Sequence, residues 1–141
     1  MTLSKLQISH WMFLLLAVGL FAGCMGGAGD RPDTGKVTGV VTLDGSPLEG
    51  ATVMFQPTEG RPSAGETDSS GKYVLMYSVD VEGAKVGQHT VTISKENQKF
   101  DGDGELTSSK ETVPSKYNQK TELSEEVASG ENTIDFPLTS K

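Results

Sequence analysis

Three groups of residues in this chain have types and spacing that could do chemistry: the single cysteine Cys24, the histidine His89, and the alternating run Asp101-Gly102-Asp103-Gly104-Glu105. A thiol at Cys24 is an intrinsically strong nucleophile once deprotonated. His89 has the chemistry of a general base, but hydrolysis by a serine needs that base beside a nucleophile, and the chain has no Gly-x-Ser-x-Gly elbow. With Gly87 beside it and Val91 and Ile93 on the same face, His89 reads as a boundary core position. The one histidine and one cysteine found after residue 23 also fall short of a zinc site. In the third group, alternating carboxylates suit a hard cation and glycine permits the tight curl, so Asp101, Asp103 and Glu105 are the candidate calcium ligands. Yet the run lacks a third Asp or Asn before a glycine, a distal glutamate and flanking helices. It reads as the acidic tip of a flexible hairpin within a long Lys95–Lys120 connection. No metal and no cofactor is expected.

The position of Cys24 says more than its type. Met1 to His10 is a short polar lead with one fixed charge, Lys5, and Trp11 to Ala22 is an apolar run of twelve residues. A bilayer-spanning helix needs roughly 20 apolar residues, so this length fits the core of an export signal instead. The run ends in Leu20-Phe21-Ala22-Gly23-Cys24, which resembles the lipobox of bacterial lipoproteins, with Phe21 standing where leucine is usual. The resemblance implies cleavage between Gly23 and Cys24, a diacylglycerol on the Cys24 thiol, and usually an acyl group on the new amine. Met25 stands where an aspartate would mark inner-membrane retention, which by the same resemblance implies the outer membrane.

Residues 1–23 therefore read as a signal peptide. Residues 24–35 read as the lipidated cysteine and a flexible tether rich in glycine, and residues 36–141 as one folded domain. Residues 1–23 hold one of the twelve basic residues and none of the nineteen acidic ones, so the remaining 118 carry a formal charge of −8. Such a chain lacks the clustered basic patch that nucleic acid requires. It is not drawn to anionic lipid either, so membrane attachment has to come from the lipid anchor. One cysteine permits no internal disulfide.

The elements that would position these residues are strands. Val37, Gly39, Val41 and Leu43 alternate with mostly polar neighbours, and Asp44-Gly45 follows as a tight-turn signal. Ala51, Val53 and Phe55 alternate next, and a short segment near Ala64–Thr67 leads into Asp68-Ser69-Ser70-Gly71, which suits a type I turn. Tyr73, Leu75 and Tyr77 predict one strand, and His89, Val91 and Ile93 another. In the last strand Ile134, Phe136 and Leu138 share a face, and Pro137 predicts a sheet edge. Around Thr121–Val127, Leu123 and Val127 share a face only if Glu125 does too, so a bulge or a loop is expected. The pattern implies an all-β fold: a seven-stranded antiparallel two-sheet sandwich, counting about seven short strands.

The stretch from Val37-x-Gly39-x-Val41-Thr42-Leu43-Asp44-Gly45 through Pro47-Leu48-x-Gly50-Ala51-x-Val53 resembles the opening of carboxypeptidase regulatory-like domains, which have a transthyretin-like (prealbumin-like) sandwich. Gly65-x-Thr67-Asp68-x-x-Gly71-x-Tyr73-x-Leu75 is similar to the turn-and-strand signature of that family. Gly87-x-His89-x-Val91-x-Ile93 lies where the family usually has Gly-x-Tyr. Pro114-Ser115-Lys116-Tyr117-Asn118 and the ending Gly130-Glu131-Asn132-x-Ile134-x-Phe136-x-Leu138 resemble a branch of small single-domain lipoproteins. These are glycine, turn and core positions, so the resemblance speaks to fold more than to chemistry. Transthyretin-like enzymes that open a purine-derived ring use several His and Arg residues and a terminal Tyr-Arg-Gly-Ser, whereas this chain ends Leu138-Thr139-Ser140-Lys141.

The sequence thus implies a non-enzymatic, lipid-anchored β-sandwich of the cell envelope that acts as an interaction or structural module. Its expected partners are the membrane, through the anchor, and other envelope proteins; oligomeric state is left open. A lipoprotein that binds a small molecule or glycan is the alternative, although the domain has no tryptophan for stacking. An enzyme ranks third.

Overall fold

Alternating inward and outward side chains dominate the computed structural model, which describes residues 32–141. The export signal, the Gly23-Cys24 junction and the tether up to Arg31 lie outside the described residues. In chain order the strands are β1 (Thr34–Leu43), β2 (Ser46–Pro47), β3 (Thr52–Pro57), β4 (Ser63–Glu66), β5 (Lys72–Val74), β6 (Met76–Ser78) and β7 (Val81–Glu82). They continue as β8 (Ala84–Lys85), β9 (Gly87–Ser94), β10 (Glu96–Phe100), β11 (Leu106–Glu111), β12 (Ser124–Val127), β13 (Gly130–Thr133) and β14 (Phe136–Leu138). A 3₁₀ turn, Ser115–Tyr117, precedes β12.

The fold is all-β, a two-sheet sandwich. One sheet is built around β1, with β8, β5 and β2 along one edge and β13 then β14 along the other. The second runs β12-β9-β3-β4-β6-β7 and is antiparallel throughout. Buried Val37 and Val41 of β1, with Tyr73, Leu75, Phe136 and Leu138, face Val53, Phe55, Val91, Ile93 and Val127 of the second sheet. These apolar side chains form one core cluster. At roughly 1.5–3 kcal/mol for each large one buried, they are the main stabilising term. Residues 32–141 make a compact unit that contains this whole cluster, so the segment has a core of its own.

Four details depart from the sequence reading. The sandwich is not wholly antiparallel: β13 and β14 run parallel to β1, because the chain crosses from the second sheet to the first after β12. Thr34 and Gly35, at the end of the expected tether, belong to β1, where they pair with Lys85 and Ala84. The expected strand through Tyr73, Leu75 and Tyr77 is two: β5 pairs with β1, and β6 pairs with β4 in the other sheet. Leu75 is the buried crossing point. Finally, β12 is a regular ladder with neither bulge nor loop, and Glu125 sits directly across from His89.

The turns follow their sequence signals. Leu43 pairs with Ser46, leaving Asp44 and Gly45 as a two-residue loop with φ of 51° and 83°. Positive φ at both positions is the primed hairpin turn that matches strand twist. Nothing lies within 4 Å of where a Gly45 side chain would start, so a substitution there tests backbone strain alone. Gly45→Val should destabilise residues 30–141 by about 1–3 kcal/mol in thermal melts; an unchanged melting temperature would refute the turn assignment. In the second turn, Gly71 donates its amide to the Asp68 carbonyl at 2.9 Å. Asp68 Oδ1 accepts from the Ser70 amide and hydroxyl and from the Lys72 amide. The Ser70 hydroxyl, then these amides, hold the Asp68 carboxyl below its usual pKa.

Candidate functional site

The segment from Glu96 to Glu111 leaves the sandwich as a two-stranded arm. Its ladder pairs Glu96 with Glu111, Asn97 with Lys110, Gln98 with Ser109, Lys99 with Ser108 and, after an irregularity, Phe100 with Leu106. The Glu111 carboxylate fastens the base, accepting the Lys95 amide at 2.9 Å and the Val113 amide at 2.7 Å. Beyond the arm, buried Val113 and the Asn118 side chain, which donates to the Ile93 and Val113 carbonyls, return the chain to the core.

Every residue from Glu96 to Lys110 is exposed. Phe100 and Leu106 face each other across the ladder at 60% and 50% exposure, immediately below the tip. At the tip, Asp101 Oδ1 accepts the amides of Asp103 and Glu105 at 3.0 and 2.9 Å. Asp101 therefore closes the turn, a local role that short acidic side chains often play. Asp103 and Glu105 flank it at the apex. Among the described residues, no three His, Cys, Asp or Glu side chains gather where they would hold a metal ion. Phe100 and Leu106 were not singled out by sequence reasoning. Two apolar residues bracketing an acidic run were the available signal.

His89 lies deeper than the boundary position expected for it, at 2% exposure. Its Nδ1 is 3.0 Å from the Gly87 carbonyl, and its ring centre is 5.7 Å from that of Phe55. A carbonyl only accepts, so Nδ1 carries the proton and Nε2 presents a lone pair. Nε2 is buried without a partner, as is the Ser63 hydroxyl. Burial pushes the His89 pKa down and nearby Lys85 adds to this, while the Gly87 carbonyl opposes it. Half-buried Glu125 is across from His89 on β12. Its charge, after burial and the charge of Asp135, helps keep the Tyr73 hydroxyl protonated. That hydroxyl donates to the Ile134 carbonyl at 2.6 Å. Glu125 is the ladder partner of the His89 base, but the free ring nitrogen is buried.

An open groove of about 620 Å³ lies beside the start of β1, lined by Thr34, Lys36, Asp80, Val81, Glu82 and Glu131. Lys36 and Glu82 pair at 3.3 Å with both side chains more than half exposed, an interaction of under about 1 kcal/mol.

No family model and no curated protein matches the chain by sequence. Among solved structures it is similar to a DUF3823 family protein from Parabacteroides merdae, at 13% identity and a TM-score of 0.44, over 77% of this chain and 47% of that one. It is also similar to a 9R-lipoxygenase from Cyanothece, at 15% identity and 0.42, over 78% of this chain and 17% of that one. A leucine-rich repeat protein from Bacteroides thetaiotaomicron shows 11% identity and 0.34, over 76% of this chain and 12% of that one. The chain thus spans less than half of each of these proteins.

Proposed function

We propose that the chain is a lipid-anchored, carboxypeptidase regulatory-like sandwich of the cell envelope that binds a partner protein through the β10–β11 arm and catalyses no reaction. The arm is the observation that carries this reading. A two-stranded hairpin is marginal by itself in water, and this one places an apolar pair at its exposed end. From Glu96 to Glu111 it has five carboxylates against Lys99 and Lys110. The surface that fits it is an apolar cleft with a cationic rim: Phe100 and Leu106 enter the cleft, while Asp103 and Glu105 meet the rim. Inaccessibility of the His89 ring supports the non-catalytic half of the proposal, and the Ala22-Gly23-Cys24 junction supports the anchor.

The test replaces Phe100, Leu106 or Val79 singly with a photo-crosslinking residue in intact cells. Val79 is 93% exposed outside the arm and serves as the control. Discrete adducts should form from positions 100 and 106 and fall severalfold when Asp103→Lys and Glu105→Lys are added. Equal yield from position 79, or yield indifferent to the tip charges, would overturn the proposal.

A further inference from the structure

We propose that His89 makes one edge of the sandwich acid-labile, such that protonation of its ring releases strand β12. The two ring nitrogens of His89 differ in their surroundings. Nδ1 already donates to Gly87, so a second proton has to go on Nε2. That atom is buried and, among the described residues, has no hydrogen-bond partner. A buried cation without a partner is strongly disfavoured, and the structure yields where it is weakest.

The surroundings decide where that is. On the β3 side His89 is paired with Pro57 and lies tilted beside Phe55, neither titratable, and Phe55 is backed by Phe136 of the other sheet. Strand β3 shares six residue pairs with β9 and is held on its far side by β4. β4 contributes Ser63, which is neutral. The Lys85 charge worsens the burial of a second positive charge. On the other side is β12, with four residue pairs to β9 and, among the described residues, no strand beyond it. It carries the one anion facing His89 across the ladder, Glu125. Admitting water to Nε2 or turning the Glu125 carboxylate toward it both disturb β12, and of the two strands beside β9 it has the fewer ladder pairs.

The direction with pH follows. The ring binds a proton less readily folded than unfolded, so the closed edge keeps its full stability above about pH 6.5 and loses it as pH falls toward the folded value. One proton changes the opening equilibrium by at most about tenfold per pH unit.

The experiment uses residues 30–141, which contain the whole core cluster and a single histidine. Amide exchange is read as protection factors, corrected for intrinsic rates, between pH 7.5 and 5.5. Protection of the Ser124–Val127 segment should fall severalfold on acidification, while Val53 to Phe55 of β3 keep theirs. In His89→Phe the Ser124–Val127 protection should be flat with pH. The imidazole resonances of the unaltered chain, which need no variant to fold, should titrate below 6.5. Titration at or above 6.5, equal loss of protection in β3, or the same pH dependence in His89→Phe would each overturn the proposal.

Discussion

Gly39→Ala should destabilise the domain by about 3 kcal/mol or more, a large part of the roughly 5–15 kcal/mol that holds a domain folded. The side-chain carbon would begin 1.8 Å from the Ile134 carbonyl oxygen, 2.6 Å from the carbonyl carbon and 2.9 Å from Cε1 of Tyr73. Backbone sits where the methyl would go, and that backbone is held in place. The Ile134 carbonyl accepts the Tyr73 hydroxyl, the Ile134 amide donates to Thr38 at 2.8 Å, and Asp135 Oδ1 takes the Val40 amide at 2.9 Å. These bonds fill the gap in the β1 edge between β13 and β14. Retreat of Ile134 would break them and shift Phe136, which packs on Phe55 and Tyr73. Gly102→Ala is the matched control, with nothing within 4 Å and no unusual backbone, and should change stability by less than about 0.5 kcal/mol. Urea midpoints at constant m would decide. A Gly39→Ala midpoint within about 1 kcal/mol of the unaltered chain would show that the Ile134 carbonyl moves aside.

That same glycine marks the limit of reading the sequence. Alternation placed Gly39 on the inward face of β1, correctly, yet the reason it must be glycine lies in a carbonyl 95 residues further along the chain. The turns at Asp44-Gly45 and Asp68–Gly71 were legible because their chemistry is local. The sheet switch at Leu75 was not, because the buried side chain fits the same alternation whichever sheet its flanks join. Glu125 misled for the reverse reason. A charge in an apolar series suggests a bulge, whereas an edge strand tolerates it on the inward face because the carboxylate can reach the margin. The arm was hidden in Glu96-Asn97-Gln98-Lys99 and Thr107-Ser108-Ser109-Lys110, strands with no buried face and hence no period of two in hydrophobicity. Parallel pairing of the first and last strands leaves no local trace. Of the candidate site residues, Cys24 lies outside the described residues. His89 was readable as an inward position, but its stranded nitrogen depends on what three other strands place around it.

Cys24→Ser should abolish lipid attachment altogether. The lipid-transfer chemistry implied at the junction uses sulfur as the nucleophile, and a serine hydroxyl at neutral pH is a far weaker one. Without the thioether there are no acyl chains. The 118 residues after the junction carry a charge of −8, which repels anionic headgroups. Among the described residues no helix is long and apolar enough to cross a membrane. With the proposed anchor the effect should be all or none. Each buried CH₂ contributes roughly 0.8 kcal/mol, so one acyl chain gives only marginal, reversible binding while two or three hold a domain stably. Intact mass of the membrane fraction should show a chain that begins at Cys24 and carries added acyl mass. The Cys24→Ser chain should retain residues 1–23 and carry none. An unmodified chain beginning at Cys24, free in the medium of cells making the unaltered protein, would refute the anchor. It would leave the arm proposal standing as that of a secreted sandwich, because neither Phe100 nor Leu106 depends on how the domain is held.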